Sequence, residues 1–218
     1  MIREESIKKL RAGLTPLPEH VFVDDQPWLA DHLLPLLSID LGLVRPELAG
    51  TVVHMLQPIG PIEGYIGDDT REFHNEFTAP NWFALHLTED NRYRFLGQEE
   101  YFLPYDEEYA AGLTEYKAKV RAYAKDHGRL AEFPSDFKGM AYEHAWLDIL
   151  GGEFWAGNWT TEDPPCAFEF NYEEREDNRI ELNYQGKPFF PVACANGLTI
   201  LMFYEPESRT ILFTFDES

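Results

Sequence analysis

Glu72, His74 and Glu76 alternate within residues 71–77. On a strand, where successive side chains point to opposite faces, all three share one face. Two carboxylates flanking an imidazole can hold a divalent cation, or one of them can orient the imidazole as a general base. These residues are therefore candidate metal ligands, and through them the chain reads as a small metal-dependent hydrolase. Alternation also describes the solvent face of any half-buried sheet, and that plain account fits the same residues.

A second cluster is Gly151-Gly152-Glu153-Phe154-Trp155 with Trp159, close to Tyr142, His144 and Trp146. Adjacent glycines permit unusual backbone angles or a close approach, and tryptophans are frequent anchors of interfaces and small-molecule pockets. Gly151, Gly152, Glu153, Trp155 and Trp159 are the candidate binding residues. The plain alternative is a tight turn capped by core aromatics. His54 and His86 fall in apolar segments, where a hydrogen-bonded core or edge histidine is expected. The chain contains no Gly-x-Gly-x-x-Gly, phosphate-binding loop, Gly-x-Ser-x-Gly or His-Glu-x-x-His, so no catalytic residue is named and no cofactor is indicated.

The elements that must position these groups are legible in part. Residues 2–12 predict a short surface helix, with Glu4/Lys8 and Glu5/Lys9 at i,i+4 and Gly13 as its stop. The stretch punctuated by Pro16, Pro18, Pro27, Pro35 and Pro46 admits a helical turn around residues 28–37 but no long helix. Val52, Val53, Met55 and Leu56 predict a strand that ends at Pro58-Ile59-Gly60-Pro61. Residues 82–87 and 93–96 predict a hairpin around Glu89-Asp90-Asn91.

The spacing of Tyr109, Leu113, Tyr116, Val120 and Tyr123 predicts an amphipathic helix over 106–127, with Asp106 as N-cap and Gly128 beyond its end. The acidic run 173–177 reads as a solvated loop. Residues 198–204 and 210–215 predict a hairpin joined through Glu205-Pro206-Glu207-Ser208-Arg209. Their apolar residues occupy odd and even positions alike, so both faces should be covered. The fold class expected is α+β, mainly antiparallel sheet with one long amphipathic helix (about 106–127) packed on it, in a single domain over 1–218.

Composition bounds the partners. The 218 residues are 44% hydrophobic and include 16 Phe, 11 Tyr and 5 Trp, enough large anchors for a folded core. Lys and Arg number 18 against 39 Asp and Glu, a formal net charge of -21. That field disfavours nucleic acid and anionic membrane surfaces and favours a basic protein partner or simple solubility. Cys166 and Cys194 lack any Cys-x-x-Cys spacing and are expected to be reduced. With no apolar leader and no run of membrane-spanning length, the expected location is cytoplasmic.

The segments Leu150-Gly151-Gly152, Gly186-Lys187-Pro188-Phe189, Phe203-Tyr204-Glu205-Pro206 and Phe213-Thr214-Phe215-Asp216 resemble the C-terminal part of the YwqG-like group of uncharacterised bacterial proteins. The resemblance implies a β-rich fold and transfers neither an activity nor catalytic residues. The function expected is a non-catalytic protein-binding module that engages a basic partner, of the immunity or inhibitor type. Its rivals are the metal-dependent hydrolase and a small-ligand sensor built on residues 151–159.

Overall fold

The computed structural model describes residues 2–58, 66–102, 107–132, 142–172, 180–197 and 199–216. Asp106, Ile59, Gly60, Pro61, Leu198 and the run 173–177 lie outside the described residues, as do the side chains of Tyr109 and Leu113. The chain is α+β and mostly antiparallel sheet. Its first half holds β1 (Arg3–Ile7), β2 (Leu14–Pro16), α1 (Leu29–His32), β3 (Leu33–Asp40), β4 (Val52–Pro58), β5 (Thr78–Ala79), β6 (Trp82–Leu87) and β7 (Tyr93–Phe95). Then come α2 (Glu107–His127), β8 (Leu130–Glu132), β9 (Tyr142–His144), β10 (Leu147–Gly151), β11 (Phe168–Tyr172), β12 (Ile180–Tyr184), β13 (Lys187–Pro188), β14 (Phe190–Ala195), β15 (Ile200–Glu205) and β16 (Thr210–Phe215).

An eight-stranded sheet runs β1-β10-β14-β15-β16-β6-β5, with β7 also on β6. At its centre the hairpin β15–β16 pairs Ile200 with Phe215 through to Glu205 with Thr210. Ile200, Met202, Tyr204, Ile211, Phe213 and Phe215 join one core with the leucines of β3 and Leu56 of β4. Leu201, Phe203 and Leu212 join a second core with Trp82, Phe168, Leu182 and Phe189. The two strands are buried at every position because each face is covered, one by β2-β3-β4 and the other by β11-β12-β13. Each fully buried Leu or Phe side chain contributes roughly 1.5–3 kcal/mol, so this double burial dominates stability.

The N-terminal segment is a strand and not the expected helix. Strand β1 lies antiparallel on β10, with Arg3 opposite Gly151 and Ile7 opposite Leu147. A Glu–Lys i,i+4 pair stabilises a helix by only about 0.2–0.5 kcal/mol. Pairing along β10 satisfies a ladder of backbone groups and buries Ile7, which outweighs two such pairs. Glu4 turns instead to Arg11, in paired contacts of 2.6 and 2.7 Å. The helical turn near residue 28 is confined to α1, after which β3 runs buried from Leu33 to Ile39, with a register shift between Pro35 and Leu37 where proline has no donor to give.

Residues 71–77 are likewise not a strand. A 3-10 helix spans Asp68–Phe73, and His74 leaves it in extended backbone. The Asn75 side chain accepts from the Phe77 N–H at 2.8 Å, and Thr78 Oγ1 accepts from the Asn75 N–H at 2.9 Å. These local bonds take the donors that a neighbouring strand would use.

Helix α2 carries Val120 and Ala124 into the main core, with Tyr116 packed against it. It stops at Gly128, whose N–H donates to the Ala124 carbonyl at 2.8 Å. Among the described residues no helix is long and apolar enough to cross a membrane.

Candidate functional site

Strand β10 ends at Gly151, and Gly152 follows it; their φ angles are 70° and 79°. Two consecutive residues with positive φ bend the chain, a course that side chains beyond Gly rarely permit. The segment that follows, Glu153 to Trp155, forms one wall of a cleft of about 730 Å³. Residues 180–183 of β12 also line it, together with Pro188 to Pro191 and Phe203. Phe154, Phe189, Phe190 and Phe203 are buried, so the rings are held by packing before anything enters. Phe154 meets Phe203 edge-on at 5.3 Å, and Phe190 meets Tyr204 at 5.8 Å.

The two tryptophans singled out by sequence have different roles. Trp155 is 58% exposed on the cleft wall, whereas Trp159 is 1% exposed. Trp159 packs against Trp82 and Phe203, each at 5.7 Å, and its indole N–H donates to the Trp155 carbonyl at 3.0 Å. It fixes the backbone of the segment and is not part of the cleft lining. Gly151 and Gly152 act in the same way, shaping the turn. Glu153 and Trp155 are the predicted residues that the cleft presents.

Arg45 completes the site, and sequence reasoning missed it. It sits between 3-10 turns at Leu41–Leu43 and Pro46–Leu48; its N–H donates to the Leu41 carbonyl at 2.8 Å and its carbonyl accepts from Leu48 at 2.9 Å. The guanidinium lies over the Phe190 ring, 3.8 Å from its centre. Its neighbours within helical reach, Leu41, Gly42, Leu48 and Ala49, are all uncharged, and that was the one signal available.

Charges of both signs thus line the cleft: Arg45, with Glu153 and Glu181. The Glu153 backbone carbonyl accepts from Arg3 at 2.9 Å, while Arg3 pairs with the Glu5 carboxylate. Among the described residues the lining holds no imidazole, thiol or hydroxyl, and its acidic groups are the carboxylates of Glu153 and Glu181.

The other candidates fall elsewhere. Glu72 and Glu76 are exposed on either side of His74, whose Nε2 lies 2.7 Å from the Gly67 carbonyl oxygen. Among the described residues no three His, Cys, Asp or Glu side chains come together as a metal-holding group. His54 is a core residue: Nδ1 is 2.8 Å from Ser38 Oγ and Nε2 is 2.7 Å from the Asn91 carbonyl. His86 Nδ1 faces the Ser208 carbonyl at 3.2 Å. Both cysteines are free, Cys166 exposed and Cys194 buried.

Comparison of the chain with protein-family models, with curated protein sequences and with solved structures gave no match in any of the three.

Proposed function

We propose that this is a non-catalytic binding protein whose ligand seats in the cleft between Trp155 and β12. The observation that carries the reading is a tryptophan more than half exposed at a cleft of about 730 Å³ that is also lined by buried phenylalanines. Small-molecule sites commonly measure about 300–1,000 Å³ and combine apolar walls with a few polar groups. In this reading α2 is an amphipathic cover that places Tyr116 and Val120 on the core, and none of its described side chains lines the cleft. The free cysteines support a cytoplasmic setting. The experiment is a thermal-shift screen of metabolites on the intact chain and on Trp155→Ala. A ligand that raises the melting temperature of the parent alone supports the cleft, and one that shifts both equally places binding elsewhere.

A second reading has its own observation. The net charge of -21, with Glu153 and Glu181 at the cleft, favours a basic protein partner whose Lys or Arg lies on the Trp155 ring, as an immunity or inhibitor-type protein would use. Capture from host lysate at low and high salt tests it. A specific partner released by salt and lost in Trp155→Ala supports it, whereas a partner held equally at both salts counts against an electrostatic contact.

A further inference from the structure

The chain has more than twice as many acidic as basic residues, so a guanidinium with no carboxylate partner is out of the ordinary here. Arg3, Arg11, Arg71, Arg92, Arg94 and Arg129 each pair with a carboxylate. Arg209 donates to the Leu87 and Thr88 carbonyls, both at 2.7 Å. Among the described arginines Arg45 and Arg121 have neither kind of partner. Arg121 is exposed on α2, where water serves it, but Arg45 is half-buried in the cleft.

We infer that the cleft selects a ligand with a single carboxylate on a planar apolar body, and that Arg45 is the residue that binds the carboxylate. The inference rests on the cleft being the binding site and adds the chemistry of what enters it. A guanidinium stacked on Phe190 uses its flat face and keeps its N–H donors in plane, the geometry that a carboxylate takes in two parallel bonds. The stacking platform is itself fixed, since Phe190 is 1% exposed, so little ordering is left for the ligand to bring about. The apolar body then lies against Phe189, Phe203 and the exposed face of Trp155. Glu153 at the same cleft sets the upper limit on charge: its carboxylate repels a second negative group, which selects a monocarboxylate over a phosphate ester or a polyanion.

Three probes that share one ring and differ in charge test this by calorimetry: indole-3-propionate, indole and tryptamine. Indole-3-propionate is expected to bind about tenfold or more tightly than either of the others, a margin that corresponds to one charge-assisted contact. Arg45→Met should abolish the margin, and Arg45→Lys should retain part of it because the charge stays while the planar fork is lost. Equal melting temperatures for the parent and both variants would establish that folding is intact. If tryptamine binds at least as well as the acid, or if Arg45→Met leaves the acid unaffected, the carboxylate inference falls while the cleft reading stands. Binding of none of the three, or binding that Trp155→Ala leaves unchanged, overturns the inference and the cleft reading together.

Discussion

The α-carbon of Gly151 faces the Ile2 backbone carbonyl so closely that a β-carbon there would lie 2.1 Å from the Ile2 oxygen. Strand β1 therefore reaches its place on β10 only because residue 151 has no side chain. With φ at 70°, any other residue also meets the left-handed penalty of about 1–2 kcal/mol. Gly151→Ala should cost about 3 kcal/mol or more, since backbone cannot give way as a flexible side chain can. Gly186, with φ of 73° and nothing within 4 Å of its position, is the control. Gly186→Ala should cost about 1 kcal/mol, the conformational penalty alone. Urea unfolding of both variants measures the difference, and equal losses would show that the Ile2 contact is not the cause.

Stability should fall with pH through His54. Burial pulls its pKa below the ordinary value, against a smaller upward pull from the Asn91 carbonyl. The short contact between Nε2 and that carbonyl makes Nε2 the donor, so Nδ1 accepts from Ser38. The folded state thus holds the proton less well than the unfolded chain. The contribution is complete above about pH 6.5 and is lost as pH falls from there to the depressed folded value. Each unit between the two values removes about 1.4 kcal/mol. His32 shifts the same way by burial and adds to the slope. His54→Gln should flatten the dependence of unfolding free energy on pH between about 5 and 7 without erasing it. An unchanged slope would assign the pH dependence to other groups.

Local pattern was readable where local pattern decides structure. The hairpin of β15 and β16 and the strands β4 and β6 follow from apolar runs bounded by turn residues, and the span of α2 follows from residues spaced by three and four before Gly128. Burial of both sheet faces followed from apolar residues at consecutive positions of 200–204 and 211–213. What pairs over long separations was not readable. Ile7 faces Leu147 across a gap that no window spans, so the i,i+4 charges of residues 2–12 were the only voice and pointed to a helix. Glu72 and Glu76 alternate with His74 because they flank the end of a 3-10 helix, and alternation by itself cannot tell that from a strand. For the site, the Gly151 to Trp155 segment announced itself by composition. Arg45 did not, because its meaning comes from Phe190, a residue that the fold delivers from β14.

The two thiols should separate cleanly in reactivity. Burial pushes the Cys194 thiol up to about 12, with Asp148 and Asp216 adding to the effect, whereas Cys166 is exposed. Nucleophilic attack needs the thiolate. At pH 8 the thiolate fraction of Cys194 is therefore lower than that of an ordinary cysteine by roughly a thousandfold, before any steric protection. A disulfide reagent should consume one thiol per native chain promptly and the second only on unfolding. Prompt reaction of both would mean that β14 opens readily or that Cys194 is not buried.

The contrast between Trp155 and Trp159 is the sharpest check on the cleft. Trp159 is enclosed by Trp82, Phe170 and Phe203, so Trp159→Ala leaves a large cavity in the second core and should cost about 3–5 kcal/mol. It also removes the indole N–H that holds the Trp155 carbonyl, so the segment 153–155 loosens with it. Trp155 is anchored through that carbonyl and not through its ring, which stands in solvent. Trp155→Ala should therefore change stability by no more than about 0.5 kcal/mol while removing the cleft's exposed aromatic wall. Intrinsic fluorescence gives the same contrast without mutation: a soluble quencher should reach the red-shifted emission of Trp155 and spare that of Trp159. Equal destabilisation by the two substitutions would mean that Trp155 is a core residue, and the cleft would lose the wall on which its ligand is seated.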